Sequence, residues 1–302
     1  MRCNFFKTLF GGKEETADER EEQKEQYNFE VLTYDAMQAL RIGKTDYAIA
    51  CLTRALDIRD DEETRYRLAL AYSQKDDLEA AADEYHRLSD MAPDNAAYPL
   101  AEADLRFQLE QYDTMQQACQ RALDINDQLA SPHYLLARLA KVQDDAAAAL
   151  AHLDQALGAK KDFNEARLLR AEVLKSLGRL DEAEADLDCL MQDSGDDVSD
   201  DVLLLKAQVA AAQGHTDEAA ALYRQTIDLN PFLATAYLEL SKLHRESGRT
   251  DEAEAVIAEA IEQLGVSPDD AEALRQGEGI DMEEYMRNAY NVLNPYQLSV
   301  KL

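Results

Sequence analysis

One pattern recurs along the chain at a nearly constant interval, and that period decides the fold before any single residue does. Ala207–Pro231, AQVAAAQGHTDEAAALYRQTIDLNP, reads as two short amphipathic helices joined by a turn at Gly214, the second closing at Asn230-Pro231. Aligned on that turn, the equivalent positions are Gly43, Asp76, Glu110, Asp144, Gly178, Gly214 and Gly248, spaced 33 to 36 residues apart. A unit of this size cannot bury its apolar faces alone, so stacked neighbours are implied, and 302 residues read as one extended array rather than two ordinary domains.

The register inside each unit is equally regular. The first helix carries a small residue at one place: Ala36, Ala69, Ala103, Ala137, Ala171, Ala207 and Ser241. The second begins with another at Ala48, Ala81, Ala149, Ala183, Ala219 and Ala253, with Met115 as the exception. Small side chains at both places let two antiparallel helices approach closely. Larger residues four positions on fill the groove (Leu52, Tyr85, Cys119, Leu153, Leu187, Tyr223, Ile257), and Ala55, Leu88, Ala122, Ala156, Leu190, Thr226 and Ala260 complete an i, i+4, i+7 apolar stripe. At the turns, Gly supplies a left-handed helix end without steric cost, Asp76 and Asp144 are tolerable substitutes, and Glu110 is a poor one. Asp217 and Asp251 are expected just ahead of second helices, where a carboxylate suits the N-terminus.

Gly178-Arg-Leu-Asp-Glu-Ala183, Gly214-His-Thr-Asp-Glu-Ala219 and Gly248-Arg-Thr-Asp-Glu-Ala253, together with Tyr223 and Asn230-Pro231, resemble the tetratricopeptide repeat. The resemblance covers about residues 29–267 and implies an all-α fold, an α-α superhelix forming a right-handed solenoid of about seven helix pairs. Their expected limits are 29–62, 62–95, 96–129, 130–163, 164–198, 200–233 and 234–267. Residues 1–28 read as a flexible N-terminal segment and lead-in, the latter a solvated linker or a helix, and 268–302 as C-terminal capping helices and tail. Repeat three, with Glu110, Met115 and Pro99, and the loop Asp193–Asp201 before repeat six are expected to be the least regular places.

Composition narrows function mainly by exclusion. Few Gly and Pro (11 and 6) suit an all-helical chain. Lys and Arg total 31 against 61 Asp and Glu, a net charge of −30, which disfavours nucleic acid as a partner. Cys3, Cys51, Cys119 and Cys189 have neither framework nor metal spacing, pointing to a reducing, cytoplasmic setting, and the last three read as packed thiols. The five His residues are scattered, the Asp193–Asp201 cluster lacks calcium-loop order, and no phosphate loop or nucleophile motif is present. Neither catalytic residues, a metal nor a cofactor is therefore expected, and the chain is not read as an enzyme. Met1–Lys13 is the only basic, aromatic segment. Through Phe5, Phe6, Leu9 and Phe10 it could contact a membrane, which gives the alternative reading of a membrane-peripheral assembly or tethering factor.

The leading reading is a scaffold that holds a peptide or helix of another protein in its concave groove. In the resembled family the first helices line that groove. The fifth positions are Thr33, Tyr66, Leu100, Tyr134, Leu168, Leu204 and Leu238, the ninth Met37, Leu70, Asp104, Arg138, Glu172, Gln208 and Lys242, and the twelfth Leu40, Ser73, Phe107, Lys141, Lys175, Ala211 and Arg245. Tyr66, Leu70, Phe107, Tyr134, Arg138, Lys141, Lys175, Lys242 and Arg245 are the candidate contacts. Bases outnumber acids at the ninth and twelfth places, which would favour an acidic or carboxylate-ending segment. Alternatively, these bases merely pair with neighbouring acids. The carboxylate clamp of chaperone-binding relatives is missing, since its places hold Thr33 and Met37, then Arg67, then Ala97 and Ala101.

Overall fold

The computed structural model describes residues 16–195, 197–265 and Gln276, and among these the chain forms fourteen α-helices and no strand. Helical hairpins are formed by α1 (Ala17–Arg41) with α2 (Thr45–Ile58), α3 (Glu62–Gln74) with α4 (Leu78–Met91), and α5 (Ala97–Gln108) with α6 (Tyr112–Ile125). Then come α7 (Ala130–Val142) and α8 (Ala146–Ala159). The remaining hairpins are α9 (Asn164–Ser176) with α10 (Leu180–Ser194), α11 (Asp200–Gln213) with α12 (Thr216–Leu229), and α13 (Ala234–Glu246) with α14 (Thr250–Leu264). Two compact units result, one carrying α1–α7 and the other α8, save its end, through α14. From α1 to α7 and from α9 to α14 each helix packs against the next in the chain. This is the nearest-neighbour construction of an all-α helical solenoid.

Burial follows the register. The small residues from Ala36 to Ser241 and from Ala48 to Ala253 are all buried, as are the larger residues from Leu52 to Ile257 that fill the grooves between them. Repeat three keeps this packing by trading sizes. Met115 stands where the other second helices have Ala, the smaller Cys119 stands where they have Leu, Tyr or Ile, and both are fully buried, the Cys119 thiol donating to Met115 Sδ at 3.5 Å. Burial pushes that thiol up to about 12. Cys51 is buried too, but Cys189 is exposed, so the expectation of a packed thiol fails there. α10 has turned its register by that point, and Leu187 and Leu190 face the core instead.

The turns show why the hairpins close so tightly. In six of them one residue takes a left-handed conformation while the next donates its N–H to a carbonyl five residues back, as in His215 to Ala210 at 2.9 Å and Gln111 to Arg106 at 2.8 Å. That donor residue is also the N-cap of the second helix. Asp217 and Asp251 therefore lie within the first turn of α12 and α14, not ahead of it. Asp76, Glu110 and Asp144 adopt the left-handed conformation as the glycines do, at φ 63°, 57° and 58°. α5, the shortest helix, starts from Ala96, which gives no side-chain cap.

Charged side chains tie adjacent hairpins together where a first helix meets the preceding second helix. Glu102 of α5 is buried, its carboxylate 3.1 Å from Nδ1 of His86 on α4 and also paired with Arg121 of α6. Burial raises its pKa, and Arg121 and His86 counter the rise. The equivalent place on α9 is Arg170, held by the buried Asp186 at 2.7 Å and by Asp154 at 2.8 Å, and on α11 it is Lys206, 2.5 Å from Asp188. The hydrogen bond from Arg170 to Asp186 raises the pKa of the guanidinium and keeps it charged.

At the N-terminal side, the acidic lead-in is helical. α1 starts at Ala17 behind a capping box in which Thr16 and Glu19 satisfy each other's backbone N–H groups. Phe5, Phe6, Leu9 and Phe10, and the expected capping helices of 268–302 apart from Gln276, lie outside the described residues. No helix among the described residues is long and apolar enough to cross a membrane.

The turn geometry predicts opposite effects for two substitutions. Gly248, at φ 74°, has nothing within 4 Å of an added Cβ, so Gly248→Ala should destabilise by about 1 kcal/mol through backbone strain alone. Glu110→Gly, which relieves the same strain, should stabilise by up to about 1 kcal/mol in urea unfolding.

Candidate functional site

The best-formed site on the first-helix face lies between α5 and α7. The Arg138 guanidinium sits 4.1 Å over the Phe107 ring and 5.8 Å from the Tyr134 ring centroid. Phe107 is braced from behind by Tyr112, with ring centroids 5.9 Å apart. Asp104 approaches Arg138 only to 4.0 Å, too far for a hydrogen bond, and the Arg138 side chain remains 35% exposed. The helical period puts Tyr134, Arg138 and Lys141 on one face of α7, where Lys141 is exposed. Three of the sequence-derived candidates, Phe107, Tyr134 and Arg138, are thus brought together, with the cation pre-oriented by aromatic faces.

Tyr66 and Leu70 belong to other surroundings. Tyr66 packs on Tyr85 and Tyr98, at 6.3 and 6.1 Å between centroids, so much of its ring serves the junction between hairpins. Leu70 lines a cleft between α1 and α3 formed by two adjoining hollows of about 350 and 520 Å³, with Met37 and Arg67 common to both. Thr33, Met37 and Leu40 line it as their register requires. Tyr34 lines it too, outside the fifth, ninth and twelfth places, as does Arg67, which the sequence marked only as a departure from the carboxylate clamp. The signal was there: Tyr27, Tyr34 and Arg41 recur every seven residues, and Tyr27 and Tyr34 are both exposed.

In the second unit, Lys175 of α9 donates to Gln208 of α11, Lys242 of α13 is exposed, and Arg245 is half-buried one turn further on. Lys175 is thus engaged by a neighbour, whereas Arg138 keeps part of its side chain exposed. Among the described residues, no group of three His, Cys, Asp or Glu side chains could hold a metal ion.

Two family models of the tetratricopeptide repeat match residues 62–95, 134–189 and 204–274, more than half of the chain. The chain belongs to the tetratricopeptide-repeat family. No curated protein matches it in sequence. Among solved structures, this tetratricopeptide array is similar to a tetratricopeptide-repeat protein of Parabacteroides merdae, at 17% identity over 83% of this chain and 98% of that one, with a TM-score of 0.59. It is also similar to the C-terminal part of a repeat protein of Cytophaga hutchinsonii (12%, 82% and 100%, TM-score 0.63) and to pilF of Pseudomonas aeruginosa (18%, 74% and 99%, TM-score 0.57). At these identities the likeness is one of fold alone. The α1–α2 and α5–α6 hairpins fall outside the matched stretches, yet they close with the same left-handed turns as the other tetratricopeptide units. Family membership supports a protein-interaction scaffold in general terms.

If the aromatic cradle orients Arg138, a double-mutant cycle of Phe107→Leu with Arg138→Met should show a favourable coupling of about 0.5–1 kcal/mol in urea unfolding. Strict additivity would mean that the ring and the cation merely lie side by side.

Proposed function

We propose that this chain is a non-catalytic scaffold that binds an acidic or carboxylate-ending segment of another protein on its first-helix face, with Arg138 as the principal anchor. The observation that supports this most is the cradle itself. In a chain of net charge −30, Arg138 is stacked on two aromatic rings, has no carboxylate within hydrogen-bond distance among the described residues, and keeps a third of its side chain open. Arginine held this way presents its fork to a carboxylate with little further loss of freedom. Phe107 and Tyr134 offer apolar contact beside it, and Lys141 extends the positive potential along α7. An acidic shell around a local basic patch also repels wrong partners while admitting a complementary one.

The test compares partner recovery and affinity for full-length wild type and Arg138→Glu/Lys141→Glu. Helicity and melting temperature should stay nearly unchanged, because neither side chain belongs to the core, while affinity should fall at least about tenfold, equivalent to 1.4 kcal/mol. Lys160→Glu/Lys161→Glu, the same charge change at the turn before α9, should leave binding intact. Unaltered affinity in the first variant would assign Arg138 and Lys141 to pairing along the helix face.

A further inference from the structure

We infer that the hollow at Met37 and Leu70, between α1 and α3, is a second anchor for the segment read above at Arg138, taking a large apolar side chain of that segment with a carboxylate beside it for Arg41. This rests on the Arg138 reading for the first anchor and adds the chemistry and the spacing of the second.

The hollow, of about 520 Å³, has an apolar floor of Met37, Leu40 and Leu70, and among the described residues no acid lines it. Met37 and Leu70 remain 37% and 38% exposed, so the array leaves this surface to water. Arg41 stands at the rim, where its guanidinium donates to Gln38 Oε1 on its own helix and meets no carboxylate among the described residues. Arg67, the other cation of the lining, is already held by Glu63, through Nε at 2.7 Å and Nη2 at 2.6 Å. The other acids of the adjoining hollow are engaged as well, Asp61 by Thr64 and Arg59 and Glu30 by Gln26, so none of them neutralises Arg41. An acid-free apolar hollow whose uncompensated charge is a guanidinium suits an apolar side chain next to a carboxylate, which the fork of Arg41 can grip.

The hollow and the Arg138 cradle belong to one face of one compact unit. Met37, Leu70, Asp104 and Arg138 hold the same repeat position on α1, α3, α5 and α7, and all four helices lie in the first unit. With neighbouring helices packed roughly 10 Å apart, the gap between α1 and α3 lies about 20 Å from the gap between α5 and α7, a distance that about six residues of extended chain cover. Asp104, its side chain 53% exposed, borders this path, so the middle of the segment should carry no acid. The segment is therefore acidic at one end, neutral in the middle, and at the other end carries an apolar side chain adjoining an acid. Once one end is held, the second contact forms within the complex at an effective concentration in the millimolar range, which tightens binding beyond either contact alone.

The test selects displayed random peptides, long enough to span both anchors, on the full-length protein. Peptides enriched on wild type should carry an acid and, about six residues away, an apolar-acid pair. Selection on Arg41→Glu/Leu70→Ser should lose the apolar-acid pair and keep the distant acid, and selection on Arg138→Glu should do the reverse. A synthetic peptide of the enriched sequence should bind Arg41→Glu/Leu70→Ser at least about tenfold more weakly than wild type. Should that variant fail to fold, as judged by helicity, Arg41→Glu alone, at an exposed position, should weaken the same peptide. Enriched peptides that carry the acid alone and bind wild type and the hollow variant equally would overturn this inference and leave the Arg138 reading standing. An apolar-acid pair enriched on wild type with no acid at the set distance would overturn the Arg138 reading and the shared segment with it. Absence of any enrichment on wild type would overturn both.

Discussion

Two antiparallel helices whose contact is made by an alanine from each can approach more closely than larger side chains allow, and the rest of the array depends on that approach. Ala207 against Ala219 is one instance of a pair repeated along the chain and buried throughout. The approach is possible only because the connecting turn is minimal, with one left-handed residue followed by an N-cap whose N–H closes the preceding helix. Once the hairpin is set, the larger residues one turn further on have a fixed groove to fill. Each hairpin still leaves an apolar face, which its neighbour covers.

Polar junctions add a second layer. Buried charge usually contributes little net stability, but a buried charge left unpaired is strongly destabilising. Glu102 requires His86 and Arg121 beside it, while Arg170 and Lys206 at the equivalent place require acids. The sign of the charge thus differs from junction to junction, so hairpins cannot be exchanged along the stack without leaving a charge unpaired. This specification lies on the packing side of the helices and leaves the first-helix face free to vary.

The architecture was legible in the sequence because it rests on repetition. The small residues, the turn positions and the groove fillers each recur, and every one of those named is buried where burial was required. Even Glu110, a poor residue for its place, adopts the required φ because its neighbours over-determine it. Less of the candidate site was legible, since it depends on pairs that do not recur. Nothing periodic signals that Arg138 lies over Phe107, that Tyr66 turns toward Tyr98, or that Tyr34 and Arg67 line a cleft. Cys189 shows the same limit in the core: register placed it on a packing helix, but its position on that helix faces solvent. The cation on aromatic rings and the apolar cleft between α1 and α3 both arise from such pairs within one unit.

Register divides adjacent residues of one helix into those that pack and those that present. Ala207 and Gln208 on α11 stand on the two sides of that division, the first fully buried and the second half-buried beside Lys175. Urea unfolding of Ala207→Leu and Gln208→Leu should show a loss of about 1–3 kcal/mol or more for the first, from overpacking, and a change within about 0.5 kcal/mol for the second. Equal losses at the two positions would contradict the division.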